Sequence, residues 1–325
     1  MAQASRWRPG AAATGPTRIT AADLAPLNQL FSDAFTERYR RDGMAGVRVP
    51  FLNPAIWRYA IEDAGDGAML WRDERNQIVA FNIAHLSGLE GWMGPLAVRP
   101  DAQESGLGKQ VVLAGVDWLT RAGARVIGLE TMPRTMDNIG FYSNLGFDPE
   151  RLTITLTLAA ATHGAPGMLL GRLQEREKGE WLERCRQLTV SLRPGYDFTR
   201  EIELTDRLAL GDTLLLTRDG ELRGFALYHT VPLVEGRVRD ELRVLKLVLA
   251  DVADIDLMAL QLADQSRRSG TRQVAVRVQG EFGVLYRRLL ELGGRVRWTD
   301  LRMTLRGRGE PAMASDGVVL SNWEI

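Results

Sequence analysis

The 325-residue sequence has very little cysteine, since Cys185 stands alone and has no internal partner for a disulfide. It also lacks an apolar run of the roughly 18 residues that a membrane-spanning helix needs. Its first residues, MAQASRWRPGAAATGPT, contain no apolar core of the kind that secretory signals carry. These absences predict a cytoplasmic protein without a membrane partner.

The sequence has no net charge, because 41 basic residues balance 41 acidic ones. Without a basic field, nucleic acid is not a predicted partner, and an anionic ligand must be held by a local site. Hydrophobic residues make up 45% and charged residues 25%, which is typical of a globular chain. The length predicts two domains of about 150 residues each. No metal is predicted, and the oligomeric state is left open.

Apolar patterning in the first half predicts an α/β domain. After a helix in ITAADLAPLNQLFSDAF, the runs at residues 68–71 and 78–84 predict a β-hairpin. A strand, WMGPLAV, leads into a helix on which Val112, Val116 and Leu119 recur at helical spacing. The strand ARVIGLET, the helix TMDNIGFYSNLG and the strand LTITLTL follow.

The junction VRPDAQESGLGKQVV, residues 98–112, joins the strand to the helix and contains Gly106 and Gly108. A helix N-terminus carries unpaired N–H groups and partial positive charge, and glycines let a phosphate approach that backbone closely. The spacing is neither that of a P-loop nor that of a dinucleotide fold. On its own, this pattern is more often a plain turn.

The junction resembles the acyl-CoA motif of the GNAT superfamily of N-acyltransferases, an apolar strand followed by [QR]-x-x-G-x-[GA] and a helix. About 30 residues later, NIGFYSNLGF resembles the second signature of that family. The two motifs stand in the right order, and the resemblance covers residues 19–158. The layout is most similar to that of the ribosomal-protein alanine acetyltransferases, a similarity that concerns the cofactor frame and says little about the acceptor.

The resemblance implies acetyl-CoA, or another acyl-CoA, as co-substrate. The backbone of residues 96–98 would pair with the pantetheine arm, and the amides from Glu104 to Lys109 would hold the pyrophosphate. Glu104 replaces a frequent cation and Thr135 replaces an asparagine of the family pattern. The implied cofactor-binding residues are Leu96, Ala97, Val98, Gln103, Glu104, Ser105, Gly106, Leu107, Gly108, Lys109, Thr135 and Asn138.

Acyl transfer to an amine needs proton transfer at two points. Glu130, at the end of its strand, is the candidate base, and Tyr142 is the candidate acid for the departing thiolate. The alternative for Glu130 is a structural salt bridge with Arg134 or Arg125, and for Tyr142 a packing role. His85 is a further candidate, although a lone histidine at a strand end is more often structural.

The second half repeats the pattern of the first, with a hairpin, an apolar strand, and a later strand and helix. Its strand-to-helix junction reads ADVADIDLMALQLADQ, where Asp251, Asp254 and Asp256 crowd the helix start and would repel a phosphate. This copy is predicted not to bind CoA in the usual way. The C-terminal GVVLSNWEI predicts a final strand.

The predicted fold is therefore α/β (α+β), with two tandem GNAT-like domains that each contain a mixed, mostly antiparallel sheet flanked by helices. A disordered tail is expected at residues 1–18, the catalytic domain at 19–158, a linker at 159–170 and the degenerate domain at 171–325.

Three functions remain open at this point. The first is acetyl transfer from acetyl-CoA to a small-molecule amine or a peptide N-terminus. The second is a GNAT-fold decarboxylase or thiol acyltransferase, and the third is a non-catalytic acyl-CoA-binding protein. The acyl-CoA motif serves all three, whereas Glu130 and Tyr142 favour the first.

Overall fold

A computed structural model describes residues 13–161 and 163–323. The elements of the first half follow the order predicted from the sequence, with two additions, a strand at the start and the helix α2. They are β1 (Thr14–Arg18), α1 (Leu24–Arg41), α2 (Pro54–Ala64), β2 (Ala68–Arg72), β3 (Ile78–Ser87), β4 (Glu90–Val98), α3 (Leu107–Arg121), β5 (Val126–Thr131), α4 (Met136–Asn144) and β6 (Phe147–Ala159).

The second half repeats this order from its own first helix onward. Its elements are β7 (Met168–Leu169), α5 (Glu175–Leu192), α6 (Thr199–Arg207), β8 (Gly211–Arg218), β9 (Glu221–His229), β10 (Glu241–Leu249), α7 (Ile255–Arg268), β11 (Gln273–Gln279), α8 (Gly283–Glu291), β12 (Arg295–Leu305) and β13 (Val318–Ser321). The predicted hairpins, the α/β class and the final strand are confirmed. No helix in the described part of the chain is long and apolar enough to cross a membrane.

The expectation of a disordered tail to residue 18 is wrong for residues 14–18. These residues form β1, which pairs antiparallel with β2 through Thr17 opposite Leu70. All five side chains of β1 are exposed, so the strand is held by backbone pairing and carries no apolar alternation in its sequence. Residues 1–12 lie outside the described range.

The predicted linker is also shorter than expected. β6 continues to Ala159, while Met168 and Leu169 form β7, which pairs with β8. Leu169 and Leu170 are buried. Apolar side chains at the end of the linker therefore join the core of the second half.

The two halves exchange their last long strands within a continuous sheet. The strand order is β1-β2-β3-β4-β5-β12-β6-β11-β10-β9-β8-β7, so β12 of the second half lies between β5 and β6 of the first. β6 in turn pairs along its other edge with β11 of the second half. The domain boundaries at residues 158 and 171 remain a prediction. The sheet itself continues from one half into the other.

Apolar clusters on both faces of the sheet form the core. In the first half, α3 packs tightly on β3 and β4, and a Cβ added at Gly115 would lie 2.4 Å from Asn82 Nδ2. Val111, Val112 and Leu119 face inward on that helix. The predicted apolar spacing of α3 is thus the spacing of its buried face, and that packing fixes where the helix begins.

Candidate functional site

The site begins at an opening between β4 and β5. These parallel strands are paired from Glu90 opposite Val126 only as far as Met93 opposite Leu129. Beyond that point, Leu96–Val98 stay paired with β3 along their other edge. An extended ligand can therefore pair with β4 as an added strand, as expected for Leu96, Ala97 and Val98.

The loop from Gln103 to Lys109 leads into α3 beside this opening. Gln103 Nε2 donates a hydrogen bond to Val98 O at 3.0 Å, which ties the loop to the end of β4. Ser105 Oγ donates to Ala102 O at 2.7 Å. Glu104, Ser105 and Lys109 are exposed, whereas Leu107 is buried. The first amides of α3 thus open toward solvent at a helix N-terminus, where an anion is stabilised.

The two glycines of the loop have different roles. Gly106 is the N-cap of α3 with φ +87°, a left-handed conformation that other residues adopt at a cost. At Gly108, an added Cβ would lie 3.5 Å from the ring of Phe141, which is an ordinary contact. Backbone conformation therefore requires glycine at position 106, and the protein's own packing does not require it at 108.

A cavity of about 460 Å³ lies at the open end of β4 and β5. Its lining includes Met93–Leu96 and Leu129–Met132, which are the two strands where they separate. Of the predicted site residues, Leu96, Glu130, Asn138 and Tyr142 line the cavity. Residues of the second half, among them Arg277 and Asp300, line the same cavity.

The environment of Tyr142 on α4 favours the protonated form of its hydroxyl. Its side chain is buried, with its ring 5.2 Å from that of Phe141 and 6.1 Å from that of Phe147. Burial raises the pKa of the Tyr142 hydroxyl above its ordinary value, because the phenolate would lose its hydration. The hydroxyl is therefore protonated at neutral pH beside the cavity, which is the state that a general acid needs.

Glu130 has partners that the sequence did not reveal. Arg277 Nη2 donates to Glu130 Oε2 at 2.6 Å, and Arg302 Nε donates to Oε1 at 3.0 Å. Thr153 Oγ1 donates to Oε1 as well. Burial raises the pKa of Glu130, but the two guanidinium groups and the threonine outweigh it, so that the pKa lies below its ordinary value.

These ion pairs favour the salt-bridge alternative for Glu130 over the role of general base. A carboxylate stabilised by two buried guanidinium groups holds a proton weakly, and it gains little by taking one from an amine. The salt-bridge alternative is correct in kind, but its partners are Arg277 and Arg302 of the second half, and Arg134 and Arg125 do not supply them. Local sequence gives no signal for partners at such a separation.

Thr135 and Asn138 differ in their exposure to the cavity. The Thr135 side chain is fully buried and its hydroxyl donates to Asp42 Oδ2 at 2.8 Å. Because the side chain is buried and its hydroxyl is bonded to Asp42, the structure does not place the Thr135 side chain for the predicted contact with the cofactor. Asn138, one turn further along α4, lines the cavity and stays a predicted cofactor-binding residue.

His85 is held inside the core behind β4. Its Nδ1 bonds to Asp63, its Nε2 lies 3.2 Å from Gly94 O, and its ring stacks on Trp92 at 3.9 Å. Arg200 of α6 bonds to the same Asp63 carboxylate at 2.7 Å. His85 therefore braces the backbone at the point where β4 leaves β5, in agreement with the structural interpretation of this histidine.

The matching opening in the second half is filled by the chain itself. β10 pairs in parallel with β11 only from Glu241 to Arg243, and β13 then pairs antiparallel with residues 246–249 of β10. Gln279 Nε2 at the end of β11 donates to Ser321 O of β13 at 3.3 Å. β13 thus occupies the place where a ligand would pair with β10.

The helix that follows β10, α7, has carboxylate side chains at its start. The Asp251 side chain accepts a hydrogen bond from Ala253 N at 2.9 Å. Asp254 pairs with Arg218 and Arg223, and Asp256 pairs with Arg288. Carboxylates therefore stand where the first half presents Gly106, and Asp251 already occupies a donor that an anion would need. Among the described residues, no group of three His, Cys, Asp or Glu side chains is placed to hold a metal ion.

Comparison with known proteins gives a family match in the first half of the chain. Residues 25–147 match the family model described as Acetyltransferase (GNAT) family. A search of curated proteins with this sequence gives no match.

Solved structures with the same fold span nearly the whole chain. A putative acetyltransferase from Pyrococcus horikoshii has a TM-score of 0.66 at 14% identity, and the match covers 99% of this chain and 98% of that one. A GCN5-related N-acetyltransferase from Sphaerobacter thermophilus has a TM-score of 0.59 at 16% identity, with 92% and 96% covered. A tandem GNAT protein from the clavulanic acid biosynthesis pathway has a TM-score of 0.58 at 12% identity, with 91% and 97% covered.

The matched region includes β4, the glycine loop, α3 and α4, which are the elements that build the opening and its helix start. The tandem fold accounts for the repeated order of elements in the second half. The first half of the chain is therefore similar to the GNAT family, and the chain as a whole has the fold of tandem GNAT structures.

Proposed function

We propose that the protein transfers an acetyl group from acetyl-CoA to an amine, by direct attack of the amine on the thioester. The observation that supports this most strongly is the opening between β4 and β5, which ends at Met93 and Leu129 and leads into the cavity. It has the Gly106 helix start at its outer end and Tyr142 at its inner end.

The cofactor would be held mainly by backbone groups. The edge of Leu96–Val98 can pair with the amide groups of the pantetheine arm. The amides at the start of α3 can bind the pyrophosphate, and the exposed Lys109 adds a positive charge. Asn138 is the remaining polar side chain of the predicted set that faces the cavity.

Tyr142 would protonate the sulfur of CoA as the carbon–sulfur bond breaks. Its raised pKa keeps the hydroxyl protonated, so that it can donate to the sulfur as the thiolate develops, and Tyr142 regains a proton from water afterwards. The amine loses one proton to water as the new amide bond forms. In this proposal, Glu130 holds Arg277 in place at the cavity, pairs with the buried Arg302, and does not take the amine proton.

The test is release of CoA thiol from acetyl-CoA in the presence of a panel of amines, with mass spectrometry of the acylated product. Acetyl-CoA affinity is measured separately by calorimetry. Amine-dependent thiol release together with an N-acetylated product supports the proposal. Tight binding of acetyl-CoA with no amine-dependent release of thiol would indicate a non-catalytic acyl-CoA-binding protein. Release of carbon dioxide from a carboxylated acyl-CoA would indicate a decarboxylase.

A further inference from the structure

The inner end of the cavity is formed by three residues of the second half, residues 321–323. Ser321 is the last residue of β13, and the chain then reaches β4, where a Cβ added at Gly94 would lie 3.6 Å from Trp323 O. Asn322 lines the cavity together with Gly94. These three residues, the 321–323 segment, therefore form a wall where the pairing of β4 with β5 stops.

Buried hydrogen bonds hold this segment in place. Ser321 Oγ and Trp323 Nε1 donate to the two oxygens of the Glu90 carboxylate, each at 2.7 Å. Asn322 N donates to Leu245 O at 2.9 Å. Because Ser321, Trp323 and Glu90 are all buried, moving the segment would leave buried polar groups without partners, which is costly. The wall is therefore fixed.

The Trp323 ring fills the space over one face of β5. A Cβ added at Gly128 would overlap with this ring, so the ring rests directly on the backbone of the strand. The guanidinium carbon of Arg302 lies 3.8 Å from the ring centre. An acyl chain on this face of the sheet would have to displace packed side chains.

The opposite face, under α3, is also closely packed. Met93 and Leu129 are the last pair of β4 and β5, and both belong to the apolar cluster beneath α3. A Cβ added at Gly115 on α3 would lie 2.5 Å from Met93 Sδ. On the proposed function, an acyl chain that extends inward from a thioester near Met93 therefore meets packed atoms on both faces of the two strands.

The side of the cavity toward β11 and β12 carries charged groups. Arg277 and Asp300 line it and form an ion pair at 3.0 Å. Methylene groups gain little there, because they would take polar groups out of water without giving a hydrogen bond in return. An acyl chain that turned this way would also occupy the space through which an acceptor amine must approach. The room for the acyl group is therefore set by Gly94 and Asn322.

Resting on the proposed acetyl transfer, we propose that the 321–323 segment restricts the acyl donor to short acyl groups, and that Asn322 is the residue that sets this limit. An acetyl group extends only a methyl group beyond the thioester carbonyl. Each further methylene would press against the fixed wall, and overpacking of a packed interior is destabilising. Selection of the donor is thereby assigned to a residue of the second half, although the cofactor itself would be held by the first.

The experiment compares acetyl-, propionyl- and butyryl-CoA with the full chain. Calorimetry gives the affinity of each donor and of free CoA, and it needs no acceptor. Thiol-release rates with the best amine of the panel give kcat/KM for the same donors.

Two variants change the wall in opposite directions. Asn322→Ala removes side-chain atoms from it, whereas Asn322→Gln adds a methylene and keeps the amide. The control is Trp298→Ala, which removes a larger side chain of the cavity lining, on β12, that is 39% exposed at the rim. Thermal melts show whether each variant is folded.

We expect the wild type to bind butyryl-CoA at least about tenfold more weakly than acetyl-CoA. Asn322→Ala should remove most of that difference by improving the affinity for propionyl- and butyryl-CoA, with the affinity for free CoA unchanged. Asn322→Gln should weaken binding of acetyl-CoA relative to free CoA. Trp298→Ala should keep the wild-type order of donors, because it enlarges the cavity away from the wall.

Equal affinity of the wild type for acetyl- and butyryl-CoA overturns the inference and leaves acetyl transfer intact. The same holds for a difference that persists in Asn322→Ala or disappears in Trp298→Ala, and for unchanged acetyl-CoA affinity in Asn322→Gln. Donor discrimination in binding without amine-dependent thiol release overturns the proposed function and leaves the limit on the acyl group standing. Failure of every acyl-CoA to bind overturns both.

Discussion

Arg302 on β12 and Glu130 on β5 are register partners, and Arg302 Nη2 lies 2.9 Å from Glu130 Oε1. Both side chains are buried, at 1% and 2% exposure. The pair joins the strand contributed by the second half to the strand that borders the cavity. Because both charges are out of water, removing Glu130 costs stability, although Arg302 keeps Glu310 at 3.0 Å and Arg277 keeps Asp300 at 3.0 Å.

Glu130→Gln should therefore lower the free energy of unfolding by about 1–3 kcal/mol, because charge-assisted hydrogen bonds are lost while each arginine keeps another carboxylate. Denaturant unfolding at neutral pH measures this loss. The control is Asp148→Asn on β6, which breaks an exposed pair with Arg306, the residue that follows β12, and should change stability little. Similar losses in the two variants would contradict the importance of burial.

The stability that Glu130 contributes should depend on pH with a definite sign. Its pKa is lower in the folded protein than the ordinary value of 4.5, so the folded state favours the carboxylate. The contribution is complete above pH 4.5 and is lost as the pH falls through the folded pKa. The difference in unfolding free energy between the wild type and Glu130→Gln should thus be constant near neutrality and narrow in acid. A gap that widens in acid would contradict the lowered pKa.

Tyr142→Phe should keep the ring packing and the affinity for acetyl-CoA, while lowering kcat by about 10²-fold or more through loss of the general acid. Initial rates, calorimetry and thermal melts on the same samples separate these effects. A packing role alone would instead lower the melting temperature without a specific loss of kcat. Full activity at an unchanged melting temperature would remove Tyr142 from the mechanism.

Gly106→Val should weaken acetyl-CoA binding by at least about tenfold, because valine strongly disfavours the positive φ at this helix start. Gly123→Val is the matched control, since Gly123 follows the other end of α3 with a similar φ of +89° and open space around an added Cβ. Calorimetry with acetyl-CoA measures both variants. Wild-type affinity in Gly106→Val would show that the conformation of this turn does not matter for the cofactor.

One acetyl-CoA should bind per chain. β13 pairs with β10 where a ligand would pair, and Asp251, Asp254 and Asp256 surround the start of α7. Calorimetric stoichiometry tests this directly. Two equivalent sites per chain would show that β13 leaves the second opening during binding.

Local patterns in the sequence predicted the elements well, because short-range physics determines them. The runs at residues 68–71 and 78–84 became the β2–β3 hairpin, and the glycine loop became a helix start at Leu107. The acidic junction of the second half carries its carboxylates at a helix start as expected. Periodicity and turn chemistry were sufficient for these features.

Pairing between distant strands was not predictable in this way. LTITLTL in β6 and LRMTL in β12 both read as half-buried strands, and nothing local indicates which of them lies beside β5. Glu130 was therefore read with near neighbours, although its partners lie 147 and 172 residues away in the sequence. β1 was missed for a related reason, since its five exposed residues show no alternation.

The exchange of β6 and β12 also has a consequence for synthesis on the ribosome. During synthesis, β6 is made before residues 295–305, which form the strand that pairs with β5 in the finished sheet. β6 can therefore pair with the edge of β5 first. In such a nascent chain, β5 and β6 must separate before the finished sheet can form. Strand edges that are unpaired in the meantime can pair with other chains. Chains truncated before β12 should therefore aggregate or engage chaperones more than the complete chain, and vectorial synthesis should pass through intermediates that refolding from denaturant avoids.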